Sequence, residues 1–461
     1  MTMETIASTD TVASSQAGPQ AGGNFKRVLS LRDLVVFGIA FVGPTAPYSM
    51  FGLATVKSQG HLPLVYLIAM FAMSFTAFSY GRMAAAFPDA GSTYSYAAKA
   101  LHPAVGFFAG WAMILDYILI PMLSVIFVGL TAQKVWPEIP YPVWVFVTAL
   151  AITAINLRGM QMTSRANYVM NAIMGASLVW FILLAIRALW MGIGEGALIS
   201  ARPFFNSQTF SFGEVIGATS LAVLSFIGFD GVTTLAEDAK DPRRDIGRAT
   251  VLVCLIAGGL FVIESYLAQM VWPDFRTFSP VETAFLDIGR LVGGATLFYF
   301  LSFVLVVAGL AGAITGQASA SRLLYGMGRD RLLPYRLFGY VHPKLGVPIY
   351  SVLLMGAIHL AGALILKYTE AAELVNFGAF LGFIAVNLCV IRHYWLRLGQ
   401  RRGGQLFSHL LLPALGGAVC IYIWMHLSRF ALALGGLWLA LGVLYLCLLT
   451  RGFRKKVELK L

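Results

Sequence analysis

The chain has 461 residues, of which 58% are hydrophobic and 12% charged, with a mean hydropathy of +0.77 and a formal net charge of +12. A soluble globular domain carries about twice that share of charge, so the composition excludes a soluble enzyme and describes a polytopic membrane protein. Four cysteines and seven histidines are scattered without metal-ligand spacing, and no nucleotide-binding loop is present, which argues against transport driven by ATP hydrolysis in this chain.

Residues 1–24 are rich in Ser, Thr, Gly and Ala and lack a basic segment followed by an apolar one. They read as a disordered cytoplasmic tail and not as a cleaved signal. Windows of about 20 apolar residues, the length needed to cross ~30 Å of hydrocarbon, predict twelve spans at 33–57, 62–86, 105–134, 141–157, 165–192, 212–237, 246–272, 292–320, 347–366, 371–392, 406–427 and 430–450. The connections are too short for a separate soluble domain. With the N-terminus inside, only eight of the 33 basic residues fall on the outer side: Lys57, Lys134, Arg187, Arg202, Arg276, Arg290, Lys367 and Arg429. That asymmetry predicts cytoplasmic N- and C-termini and explains the basicity as membrane topology, with no call for nucleic acid.

Span 1 carries "GIAFVGPTAPYSMFG", in which Pro44 and Pro47 flank Thr45 about a dozen residues into the apolar run. Proline removes a backbone donor and clashes with the preceding turn, so a break or a plain packing kink is expected there. Span 6 is interrupted in the same way: in "SLAVLSFIGFDGVTTLAED", Gly228 and Gly231 bracket Phe229 and Asp230. Spans 1 and 6 open two successive groups of five, the relation expected of inverted repeats with discontinuous helices at a substrate site.

Four stretches then stand out: "FPDAGSTYSYAAKALHPAVGFFAGW" (87–111), "LDYILIPM" (115–122), "SFIGFDGVTTLAEDAKDPRRDIGRA" (225–249) and "SASRLLYGMGRDRLLP" (319–334). They resemble the amino acid–polyamine–organocation (APC) transporter superfamily, most of all its bacterial putrescine importer branch, from about Leu31 to His393. The resemblance implies an all-α polytopic fold of twelve transmembrane helices. Its core is two inverted five-helix repeats (25–192 and 212–393) with helices 1 and 6 broken, followed by two peripheral helices (406–450) and a cytoplasmic tail (451–461). It also implies secondary active transport of an amino acid or amine across the cytoplasmic membrane, by a monomer or homodimer, without a cofactor.

An ionisable group inside a span costs at least ~2.5–3.5 kcal/mol and is therefore a functional candidate. Asp230 follows the second break; the resemblance implies a gating or proton-linked role, and a charge favourable to the following half-helix is a compatible reading. In span 3, Asp116 can neutralise a substrate ammonium or bond a neighbouring helix. Tyr117 matches a tyrosine that the resemblance makes a substrate-site residue, and its ring face suits a cation. Phe226 can close over a substrate or simply pack, and Glu264 can serve a proton path or an interhelical hydrogen bond. Glu237 and Asp238 read as loop residues.

The first break constrains the substrate. A glycine-rich break exposes N–H groups that cradle a carboxylate, whereas here Pro44 and Pro47 remove two donors and leave Gly43, Thr45 and Tyr48. With Gly228 in the opposite break, these residues are expected to favour an amine over an α-amino acid, with amino acid permeation or amino acid/amine exchange as the alternative. A lysine that substitutes for sodium in some relatives is replaced by Met174, leaving a proton gradient with Asp230, exchange, or sodium between spans 1 and 8 as coupling modes. A membrane transferase would require a polar catalytic constellation, and a receptor-like protein a long cytoplasmic domain; neither pattern is present.

Overall fold

A computed structural model describes residues 29–88, 92–159, 164–236, 238–329 and 334–450; both expected tails and Glu237 lie outside the described residues. The described chain is helical, and its one backbone bridge pairs Leu29 with Ala239. Among the described residues nine helices are long and apolar enough to cross a membrane, and the bent first pair, taken as one span, adds a tenth.

Helix α1 (Leu31–Val42) starts on a capping box in which Asp33 accepts from the Ser30 N–H at 2.8 Å. It stops at Gly43, whose φ of +81° is open to glycine and strained for other residues. After the Pro44–Thr45 turn, α2 (Ala46–Lys57) sets off at 51° to α1. Pro47 occupies the first turn of α2, where a missing N–H breaks no helical hydrogen bond, so the chain accommodates it at little cost.

Helices α3 (Leu62–Ala86), α4 (Ser92–Ala100), α5 (Pro103–Val135), α6 (Tyr141–Leu157) and α7 (Ser164–Trp190) follow. Helix α8 (Phe212–Ala222) then tightens into a 3₁₀ turn over Val223–Phe226, passes through extended Ile227 and left-handed Gly228, and resumes as 3₁₀ over Phe229–Leu235. The glycine-bracketed interruption read from the sequence is a change of backbone conformation.

The remaining elements are α9 (Pro242–Val271), α10 (Ala284–Arg329), α11 (Tyr335–Phe338), α12 (Ile349–Ile365), α13 (Tyr368–Val390), α14 (Leu412–Met425) and α15 (Arg429–Leu449). Among the described residues each of the twelve apolar windows overlaps helix, but α6 and α12 have 17 residues each. At 1.5 Å per residue they reach ~25 Å, short of the ~30 Å hydrocarbon core. The window at 292–320 also differs: its helix begins at Ala284 and is interrupted at Gly294 (φ +65°). Hydropathy registers apolar length and is blind to a glycine near the window edge. Likewise α9 starts at Pro242, ahead of its apolar run, because the Asp241 side chain caps the Arg244 N–H.

Close packing comes from small residues. Helix α3 lies along α9 where Gly81 meets Gly247; a Cβ on Gly81 would sit 2.5 Å from the Gly247 Cα. Helix α5 packs between α10 and α13. Side-chain amides tie helices together: Asn387 of α13 accepts from Ser79 at 2.7 Å and donates to Thr76 at 3.2 Å, and Gln317 of α10 donates to Thr153 and to the Val352 carbonyl. The last helix is fastened by a reciprocal pair, Trp111 Nε1 to the Trp438 carbonyl at 2.9 Å and Trp438 Nε1 to the Trp111 carbonyl at 3.0 Å.

Replacing Gly247 by Val drives a branched side chain into the α3 backbone, an overpacking cost of about 1–3 kcal/mol or more. The expected outcome is loss of the monodisperse gel-filtration peak of purified protein, with Gly436→Val, whose position is open, as the tolerated control.

Candidate substrate site at the paired helix breaks

The two interruptions touch. A Cβ on Gly228, whose φ is +114°, would lie 2.7 Å from the Phe41 carbonyl oxygen and 3.2 Å from the Val42 N, at the end of α1. Only glycine lets these two backbones approach so closely.

Beside this contact is a cavity of about 280 Å³. The first break and α2 contribute Thr45 and Ser49, the second break Ser225, α5 Ser124 and α13 Tyr368, so five hydroxyl-bearing residues line it. Ile120, Phe127, Met174, Leu224 and Leu305 form much of the apolar wall. Among the described residues, no carboxylate or basic side chain lines it. Met174 stands opposite the first break, its Cε 3.5 Å from the position a Cβ on Gly43 would take. The span 5 position that the sequence singled out therefore faces the breaks as an uncharged thioether.

The backbone donors are fewer than the residue types suggest. Gly43 N–H donates to the Ile39 carbonyl at 2.9 Å, Ala46 N–H to Gly43 at 3.1 Å and Tyr48 N–H to Thr45 at 3.1 Å, while Pro44 and Pro47 have none. Of the three donors expected at Gly43, Thr45 and Tyr48, two are consumed by the turn itself. Among the described residues, the Thr45 N–H is the one from 43 to 48 without a backbone acceptor.

The remaining candidates are distributed around the cavity. Tyr48 turns into the core, where its ring stacks on Phe285 at 3.8 Å. Phe226 is fully buried against Phe261, with ring centroids 5.3 Å apart. Asp116 and Tyr117 sit on α5 about a turn before Ile120, outside the cavity wall. Asp116 lies close to α13, at 3.0 Å from where a Gly378 Cβ would be, and its buried Oδ1 has no hydrogen-bond partner. Asp230 lies against the backbone amides of Gly228, Asp230 and Gly231.

Asp116, Tyr117 and Asp230 interact electrostatically with one another, and Tyr80 joins both carboxylates; the Tyr80 hydroxyl bonds Thr93 of α4 at 2.6 Å. Residues scattered in sequence thus form a second polar cluster on the α4 side of the breaks. Glu264 is fully buried, and neither carboxylate oxygen has a hydrogen-bond partner, so the interhelical hydrogen bond considered for it is not formed among the described residues.

At the other end, Lys57 of α2 pairs with Glu373 of α13 at 2.9 Å, and Glu373 also accepts from the Ser428 N–H at 3.1 Å. Lys134 of α5 pairs with Asp287 of α10 at 2.8 Å. Two of the lysines assigned to the outer side are therefore neutralised by acids on other helices. The first pair ties together two walls of the cavity.

Sequence reading missed Ser49, Ser124, Ser225 and Tyr368. Ser225 lay within a quoted motif, but a hydroxyl in an apolar run usually bonds its own helix, and Ser49 and Ser124 do so with Ala46 and Ile120. Their orientation toward a shared space depends on helices far apart in sequence.

Interrupted helices meeting beside a small, largely apolar cavity with hydroxyl-bearing residues in its wall, in a chain of membrane-length helices, define a carrier-type membrane transport protein. The amino acid permease family model matches residues 33–445, and the chain belongs to that family. It is 35% identical over 437 residues to the low-affinity putrescine importer PlaP of Escherichia coli K12, covering 94% of this chain and 95% of that protein. It is 25% identical to the branched-chain amino acid permease BcaP of Bacillus subtilis 168, over 94% of this chain and 95% of the relative. The methylthioribose transporter of the same Bacillus strain is 24% identical over 92% of this chain and 94% of its own length.

Two outcomes test this geometry. Gly228→Ala pushes a methyl group into the Phe41 carbonyl, and uptake by membrane-inserted protein is expected to fall about tenfold or more, equivalent to ~1.4 kcal/mol or above. In a Cys447→Ser background, Ser49→Cys is expected to react faster with a membrane-impermeant thiol reagent added from the α2 C-terminal side when Lys57→Met removes the ion pair. An unchanged rate would show that the pair does not hold that side shut.

Proposed function

We propose that the protein imports a small organic amine of the putrescine type by alternating access, within a fold of twelve transmembrane helices. The count takes the bent α1–α2 pair as one span and adds α6 and α12 to the nine longer helices. The 17-residue helices would be accommodated by local thinning of the bilayer. Two inverted five-helix repeats are favoured by the positions of the breaks, which open successive groups of five. The distribution of basic residues favours cytoplasmic termini and an inner-membrane location.

The observation that carries the amine reading is the donor count at the first break. A substrate carboxylate needs several free N–H groups at a helix start, and residues 43–48 retain that of Thr45. Hydroxyl oxygens of Thr45, Ser49, Ser124, Ser225 and Tyr368 instead suit an ammonium donor. The name of the PlaP relative agrees with this chemistry. Amino acid transport or exchange is the second reading, favoured by the BcaP relative.

A proton gradient is the proposed driving force, with Asp230 as the group that links protonation to the movement of the second break. Asp116 beside it supplies a like charge, and Tyr117 a hydroxyl and an aromatic face. Sodium between spans 1 and 8 is less well served, because α10 presents Leu305, Ala308 and Gly309 to the cavity and so no side-chain oxygen.

Proteoliposomes given labelled putrescine or labelled leucine, with and without an inward-directed proton gradient, test substrate and coupling together. Putrescine is expected to accumulate and to respond to the gradient; exclusive accumulation of leucine would overturn the amine reading. Asp230→Asn is expected to lose gradient-driven accumulation by about tenfold or more while counterflow exchange of unlabelled for labelled putrescine persists.

A further inference from the structure

The connection between α7 and α8 runs over the end of α9 as a strap. Glu195 N–H donates to the Met270 carbonyl at 3.0 Å, Ser200 N–H to the Tyr266 hydroxyl at 2.8 Å, and the Phe204 ring stacks on Tyr266 with centroids 5.7 Å apart. Nearer to α8 lies Asn206. Its carbonyl accepts from the Thr209 and Phe210 N–H groups and its side-chain oxygen from Gln208 N–H, so it organises the turn that leads into the second broken helix. The Asn206 N–H itself donates to Nε2 of His61 at 3.1 Å.

His61 belongs to the turn between α2 and α3, on the expected outer side, and is fully buried. Its Nδ1 is 2.8 Å from the Ser58 carbonyl. A carbonyl only accepts and a backbone N–H only donates, so these two partners assign the neutral tautomer with its hydrogen on Nδ1. The ring stands edge to face against Phe210 at 5.4 Å. Gln269 of α9 braces the turn, donating to the Gly60 carbonyl and accepting from Leu62 N–H at 3.3 Å.

A further proton on this ring has one place to go. On Nε2 it replaces an acceptor by a donor and sets two N–H groups against each other, so the bond to Asn206 is lost while the bond to Ser58 stays. The charged side chains of the surrounding elements are engaged elsewhere. Lys57 pairs with Glu373 at 2.9 Å and Arg202 of the strap with Glu195 at 2.8 Å. Asp274 accepts from Arg276 N–H at 3.2 Å, and the Arg276 guanidinium lies 5.6 Å from the Phe275 ring centroid. Glu264 lies more than a turn further along α9, and Glu214 is exposed in the first turn of α8.

We propose that His61 is a proton-operated latch. Neutral, it fastens the strap to the α2–α3 turn; protonated, it releases Asn206 and with it the outer start of α8. Any uncharged side chain with a donor and an acceptor would serve as a fixed tie, whereas an imidazole changes charge between about pH 5 and 8. The sign follows from the tautomer: the latch is closed on the alkaline side and opens as the pH falls. It is separate from the cavity and from the carboxylate proposed to couple transport, and its test needs no substrate, so the amine reading can fail without it.

The test is hydrogen exchange of the segment 204–216, expressed as protection factors so that the intrinsic pH dependence of exchange is removed, on the purified full-length protein in nanodiscs. Wild-type protection is expected to fall about tenfold between about pH 8 and pH 5, with α5 unchanged. His61→Gln, which keeps an uncharged acceptor, is expected to hold the higher value at both pH values, and His61→Leu the lower value at both. Wild-type protection that does not change, or His61→Leu protected as well as the wild type at the higher pH, overturns the inference. Each variant decides alone if the other fails to fold: a fall with pH that persists without the imidazole overturns the latch, and its disappearance supports it.

Discussion

The architecture depends on how backbone groups are satisfied where helices stop inside an apolar environment. Hydrocarbon offers no hydrogen bonds, so an interrupted helix survives only if its open end is buried in protein or faces a polar space. Here the end of α1 is covered by the second break, with Gly228 against the Phe41 carbonyl, and the start of α2 closes its own turn through Ala46 and Tyr48. Each break is the condition for the other. The cavity is the space left where neither chain can fill the gap.

Around that point the helices are held by two kinds of contact that cost little in a membrane. Glycine pairs such as Gly81 and Gly247 let α3 and α9 approach to backbone distance, and side-chain amides such as Asn387 and Gln317 bond hydroxyls or carbonyls on neighbouring helices. Asn376 does the same toward the Ser220 carbonyl, fastening α13 to the helix that carries the second break. Glu264 departs from this pattern. Its carboxylate has tyrosine hydroxyls in its field and no hydrogen-bond partner among the described residues.

The two ends of the molecule differ in charge for a related reason. Basic side chains on the expected outer side are few, and Lys57 and Lys134 are matched to Glu373 and Asp287 across helices that wall the cavity. The basic residues of the opposite side are more numerous, and Lys240 follows the bridge by which the stretch before α1 is tied to the loop after the second break. An ion pair between α2 and α13 and a backbone bridge between Leu29 and Ala239 thus brace opposite ends of the two broken helices.

Local chemistry was legible in the sequence. Apolar length located the helices, Pro44 and Pro47 marked the first break, and Gly228 with Gly231 marked the second, because each of these properties acts within a few residues of itself. The APC resemblance rested on motifs that are continuous in the chain, and the match of the amino acid permease model over residues 33–445 agrees with it. Which hydroxyls line the cavity was not legible: Ser49, Ser124, Ser225 and Tyr368 lie on four different elements, and nothing local distinguishes a serine that faces a cavity from one that faces a lipid tail. Donor counting was half legible, since proline removes an N–H by its covalent structure while the loss of the Gly43 and Tyr48 amides depends on how the turn folds. By itself, then, the sequence determined the membrane class, the places where helices must stop and the shortage of carboxylate-binding donors, all of which follow from covalent structure and local hydropathy. The tertiary structure alone decided that the two stops meet and that five hydroxyl-bearing residues share one space, because those are relations between surfaces far apart in the chain.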